Sequence, residues 1–98
     1  MMILIALLAA TGDVPTLRQR LDALPRPLGA FVERRADCNH WTGEEPYDAP
    51  RRAEIERAIR DLHCARIEKD EQRIRHRYRG DAAVIAILDE TADLPGID

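Results

Sequence analysis

Apolar positions recur in steps of three and four along most of this chain, and a few sharp breaks divide the pattern. Val14, Leu17, Leu21 and Leu24 form one stripe with Arg18, Gln19, Arg20 and Asp22 turned away from it, which predicts a short amphipathic helix. Asp13 stands where it can cap that helix, and Pro15 falls where a first turn tolerates proline. Pro25 and Pro27 end it, because a proline inside a helix removes a hydrogen bond and collides with the preceding turn. A second helix is predicted from Pro27, with Leu28, Phe31 and Val32 inward and Glu33, Arg34, Arg35 and Asp37 solvated.

Residues 38–49 lose the period, and Gly43 and Pro46 mark them as a loop. Asp48, followed by Pro50, signals the start of a long helix that meets no breaker before Gly80. Its apolar residues do not share one face. At about 100° per residue, Ala58, Ile59 and Leu62 lie within about 60° of Ile55, whereas Ile67, Ile74 and Tyr78 lie roughly 100–140° away and Cys64 about 180° away. One straight helix over about 49–79 would therefore present two stripes to two partners. Asp81 caps a last helix carrying Val84, Ile85, Ile87 and Leu88; the run is β-branched, but no second strand is visible to pair with it.

The first ten residues, MMILIALLAA, carry no polar side chain and are too few for a membrane span, which takes about 20. They match the apolar region of a secretory signal, with Ala10, Thr11 and Gly12 supplying small residues before a cleavage at Asp13. The expected organisation is thus a signal peptide at 1–12 and one helical domain at 13–98. No Lys or Arg precedes the apolar run, and the competing reading is a buried N-terminal segment of a cytosolic protein.

Composition narrows the function class. The chain has 98 residues, 45% apolar and 34% charged, which is a globular composition and enough for one small core. A net charge of −3 and 4% aromatics speak against a general nucleic-acid binder, which needs basic excess and stacking surfaces. The arginines at 73, 75, 77 and 79 alternate, spread around a helix and follow Glu68, Asp70 and Glu71, so they read as a solvated helix end.

Two cysteines in an exported chain read most simply as a disulfide between Cys38 and Cys64. Closing that loop of 26 residues would remove unfolded-state entropy worth about 3.5 kcal/mol. The rival is a metal site built from Cys38, His40 and Cys64 with the neighbouring His63, in a cytosolic metal-binding or regulatory domain. Adjacent residues on a helix point about 100° apart, so His63 and Cys64 are poorly placed to grip one ion. No cofactor is expected. His40, Glu44, Glu45 and Asp48 include acids and a base, but no nucleophile or phosphate cradle accompanies them, so the expected protein is not an enzyme. His40, Trp41 and Tyr47, aromatic groups in a polar loop beside a cysteine, are the candidate partner-binding residues; the other reading of Trp41 is a lid over the core.

Cys38, Cys64, Asp70, Ile74 and Tyr78 together resemble the N-terminal domain of the LprI-type lysozyme-inhibitor family, small exported helical domains whose disulfide is followed by an Asp, an aliphatic residue and a Tyr along a helix. The resemblance covers about 40 residues and implies export, an all-helical form and binding to an envelope protein. The chain departs from the family at Arg75 and in the loop His40–Trp41–Thr42–Gly43. The expectation is an all-α domain of one long and three short helices, with loop 38–49 fastened to the long one. It would bind another protein in the periplasm or outside the cell, without nucleic acid and without a membrane span in the mature chain.

Overall fold

Thr16 starts the first helix with a capping box: its hydroxyl accepts from the Gln19 amide at 3.1 Å, and the Gln19 side chain accepts from the Thr16 amide at 2.9 Å. That exchange satisfies two amides that a helix start leaves unpaired. A computed structural model of the chain describes residues 14–97. Helix α1 (Leu17–Asp22) therefore begins after the Pro15 expected inside it, Val14 is 85% exposed outside the stripe, and the expected Asp13 cap and signal segment lie outside the described residues.

Pro25 and Pro27 flank the start of α2 (Arg26–Thr42), as their lack of a donor requires. This helix runs further than expected. Nothing in residues 38–42 breaks a helix, Thr42 donates its hydroxyl to the Cys38 carbonyl at 2.8 Å, and the chain turns only at Gly43. Cys38, His40 and Trp41 thus sit on the last turns of a helix, and the loop is confined to residues 43–48. Asp48 caps α3 (Ala49–Asp61) by accepting from the Arg51 amide at 2.8 Å. Asp81 caps α5 (Ala82–Glu90) through the Ala83 and Val84 amides.

The segment expected as one helix is interrupted. After α3, His63 adopts a left-handed conformation (φ 55°, ψ 45°), a single 3₁₀ turn covers Cys64–Arg66, and α4 (Ile67–Arg77) follows. The two apolar stripes give the physical reason. Ile67, Ile74 and Tyr78 cannot face the core from a helix that continues α3 straight, and the break re-aims them so that all three pack against it. The disulfide between Cys38 and Cys64 joins backbones 5.6 Å apart at the α-carbons and holds the new direction against α2. The all-α class and the cystine are as expected; the bend is what periodicity alone left out.

The core is assembled by α1, α2 and α5. Leu21, Leu28, Phe31, Val32, Val84, Ile87 and Leu88 are buried in one cluster, with Ile67 and Ile74 of α4 and its cap residue Tyr78 laid against it. Ile55 is the buried side chain of α3 and lies outside that cluster, so α3 is an arm carried by the far end of α2. Two core polar groups accompany the hydrophobic ones: Arg35, 3% exposed, and Thr91, fully buried. Among the described residues no helix is long and apolar enough to cross a membrane.

His63 is the one non-glycine residue in the left-handed region among those described. For an L-residue that conformation costs about 1–2 kcal/mol, and glycine is the usual residue at such a helix exit. His63→Gly is expected to raise the unfolding free energy by about 0.5–1 kcal/mol, and β-branched His63→Val to lower it by about 1 kcal/mol. Urea denaturation of the two variants checks this; equal effects of both would mean that the bend stores no strain.

Candidate functional site

The three candidate partner-binding residues occupy the junction between α2 and α3. His40 and Trp41 are neighbours on the last turn of α2, their rings edge to face at 5.3 Å. Trp41 is half-buried, and the guanidinium of Arg51 lies over its ring at 5.2 Å. Arg51 comes from the first turn of α3, positioned by the Asp48 cap, and its two terminal nitrogens bond Glu44 at 2.5 Å and Glu54 at 2.7 Å. His40 approaches the other oxygen of Glu44 at 4.0 Å. The loop is thereby closed by a ring–cation–carboxylate clamp, and cation–π contacts of this kind contribute about 0.5–1 kcal/mol at partly exposed sites. Tyr47 is held in that loop with its side chain in solvent, 80% exposed.

The two aromatics have different surroundings. Trp41 is a clamp residue, engaged by Arg51 and His40. Tyr47 is the large side chain the loop presents outward. An exposed tyrosine on a clamped loop has an apolar ring with a polar tip and little rotamer entropy to lose. The clamp's key member, Arg51, carried no signal in the apolar pattern; its position three residues after a capping Asp was the available hint.

The cysteine chemistry is determined by the bond itself. Both sulfurs are joined to each other, so neither is a thiolate for zinc, and the metal reading built on Cys38, His40 and Cys64 loses its sulfur ligands. Among the described residues no group of three or more His, Cys, Asp or Glu is placed to hold a metal ion.

Ion pairs between α2 and α4 define the electrostatics away from the loop. Consecutive residues of α2 meet consecutive residues of α4: Arg34 donates to Asp70 at 2.6 Å and Arg35 to Glu71 at 2.8 Å. Arg35 was expected in solvent. It lies instead on the apolar stripe, seven residues after Leu28 and four after Phe31, and that spacing was the missed signal. Its second terminal nitrogen bonds the Leu88 carbonyl at 2.7 Å and the Thr91 hydroxyl at 2.9 Å. Of the arginines read as a solvated helix end, Arg75 bonds both Glu71 and Asp89, and Arg73 bonds Asp70.

No protein-family model, curated protein or solved structure matches the chain.

The Arg34 hydrogen bond holds the Asp70 carboxyl below its usual range. Burial pushes Glu71 upward, but the bonds from Arg75 and Arg35 outweigh it and leave that group lowered as well. Groups with depressed folded-state values contribute stability that is present above the ordinary carboxylate range of about pH 4, and it is lost as pH falls through their folded values. The urea midpoint is expected to hold steady from neutrality to about pH 5 and then to fall on further acidification. Glu71→Gln should flatten that fall. An acid limb of the same slope in the variant would show that Glu71 is not a source of it.

Proposed function

We propose that this chain is a non-enzymatic helical binding module that acts in the periplasm or outside the cell and docks another envelope or extracellular protein. The face that meets the partner is the loop junction carrying His40, Trp41 and Tyr47. The observation that carries this reading is the exposure of Tyr47 on a loop closed by the Arg51–Trp41–Glu44 clamp, on an arm whose root is fastened by the cystine. Fastening a loop before binding reduces the ordering entropy lost when it docks, which is what a preorganised interface requires. A cystine is at home in an oxidising compartment, in accord with the signal-like first ten residues. The resemblance to LprI-type domains points the same way.

Export requires a mature chain beginning near Asp13 and no free thiol in the native protein. An intact Met1 together with two reactive thiols would overturn it. For the binding face, the mature oxidised protein is used to retain partners from an envelope extract. Tyr47→Ala is expected to lose the retained protein by about tenfold or more, as for an interface anchor, with helical circular dichroism unchanged. Trp41→Ala should weaken capture and also lower the thermal midpoint, because it opens the clamp. Undiminished capture by Tyr47→Ala would remove the loop from the interface.

A further inference from the structure

Between α2 and α4, on a face built from residues other than those of the loop, lies an open cleft of about 460 Å³ with Phe31 and Ile74 among its apolar lining residues. Three arginines line it, Arg34 from α2, Arg66 at the end of the 3₁₀ turn and Arg73 from α4, and Asp70 is the one carboxylate among its lining residues. Arg34 reaches Asp70 at 2.6 Å and Arg73 reaches it at 3.2 Å, while Arg66 acts on the same carboxylate through its field. Three cations facing one anion leave a local excess of about two positive charges in a chain whose net charge is −3. Each guanidinium has five N–H donors, and one carboxylate cannot occupy three such forks. Asp70 thus marks where an acidic group sits, and the surrounding donors have capacity for another beside an apolar floor.

We infer that this cleft is a second docking site, for an acidic peptide segment of a partner protein in which an aliphatic or aromatic side chain is flanked by carboxylates. Its apolar residue lies on Pro27, Ala30 and Ile74, and its carboxylates take the outward donors of Arg66 and Arg73. Charge complementarity selects this occupant: a basic segment meets three like charges, and an uncharged one offers the arginines only the weaker hydrogen bonds of neutral acceptors. The site does not rest on the reading of the loop, and the Tyr47→Ala variant leaves it intact.

The test is an amide NMR titration of the full oxidised chain with the peptide acetyl-Glu-Glu-Leu-Phe-Glu-Glu-amide. Controls are the same peptide with Gln for Glu, inorganic phosphate, and vesicles containing phosphatidylglycerol. The acidic peptide is expected to shift the amides around Arg66, Arg73 and Ile74, with affinity falling as salt rises from about 50 to about 300 mM. Arg66→Gln and Arg73→Gln, which leave the Arg34–Asp70 and Arg35–Glu71 bonds in place, should each weaken binding about threefold. Asp70→Asn, which keeps an oxygen acceptor for Arg34 and removes the internal anion, should tighten it about threefold. A merely structural Asp70 would give no tightening. No shift with the acidic peptide, equal shifts with the Gln peptide, unchanged affinity in both arginine variants, or equal or stronger shifts with phosphate or vesicles would each overturn the assignment.

Discussion

One buried guanidinium organises this small protein. Arg35 lies in the core at 3% exposure, and a cation removed from water is costly unless its donors are met. Two helices and a cap residue meet its terminal nitrogens, while its Nε, also shielded from solvent, has no hydrogen-bond partner. Helix α4 brings Glu71, and α5 brings the Leu88 carbonyl, one of the acceptors that a helix end leaves unpaired. Thr91 accepts from Arg35 while donating its own hydroxyl hydrogen to the Ile87 carbonyl at 2.6 Å. The arginine therefore serves as the C-terminal cap of α5, where a positive charge also suits the helix dipole. The Phe31 ring lies 5.3 Å from the guanidinium. Hydrophobic packing brings α1, α2 and α5 together without directional preference. The Arg35 bonds set the direction of approach of α4 and α5 on α2.

The rest of the architecture follows from satisfying that group. For Glu71 to reach Arg35, α4 must run beside α2, and a straight continuation of α3 would carry it elsewhere. The chain turns at His63, and the cystine fixes the turn. Asn39 then ties the chain's last described turn to α2 by donating to the Ala92 and Leu94 carbonyls at 3.0 Å. Outer ion pairs add connections in solvent, Arg20 of α1 with Glu90 of α5 and Arg75 of α4 with Asp89 of α5, and such exposed pairs add little each. What remains outside the core is α3 with its loop, an arm whose tip is held by Arg51 and whose root is held by sulfur. The two surfaces proposed for partners lie on either side of this division, one at the tip and one along the α2–α4 seam.

Much of this was legible in the residues and some was not. Helical class, the proline-marked start of α2 and the caps at Asp48 and Asp81 are local properties, settled within a turn of chain, and they could be read directly. The pairing of Cys38 with Cys64 followed from counting. The bend at His63 was not readable as a breaker, because no glycine or proline stands there and the chain accepts a left-handed histidine for tertiary reasons. The misfit between the Ile55 and Ile74 stripes did record that a straight helix was unsatisfactory. Arg35 was missed because a charged residue is assigned to solvent by type, while its spacing from Leu28 and Phe31 placed it inward. At the candidate site, Tyr47 was visible as an unusual loop aromatic, but the role of Trp41 depended on Arg51, ten residues away and across a turn.

The organising role of Arg35 is tested most directly by a double-mutant cycle of Arg35→Met and Glu71→Gln, read as unfolding free energy in urea at neutral pH. Breaking a buried pair from one side leaves the other group uncompensated, so the account predicts a cost of about 3 kcal/mol for Arg35→Met and a coupling of about 1–3 kcal/mol between the two sites. Costs that add within about 0.5 kcal/mol would contradict it, and would leave the cystine and the apolar cluster as sufficient cause of the fold.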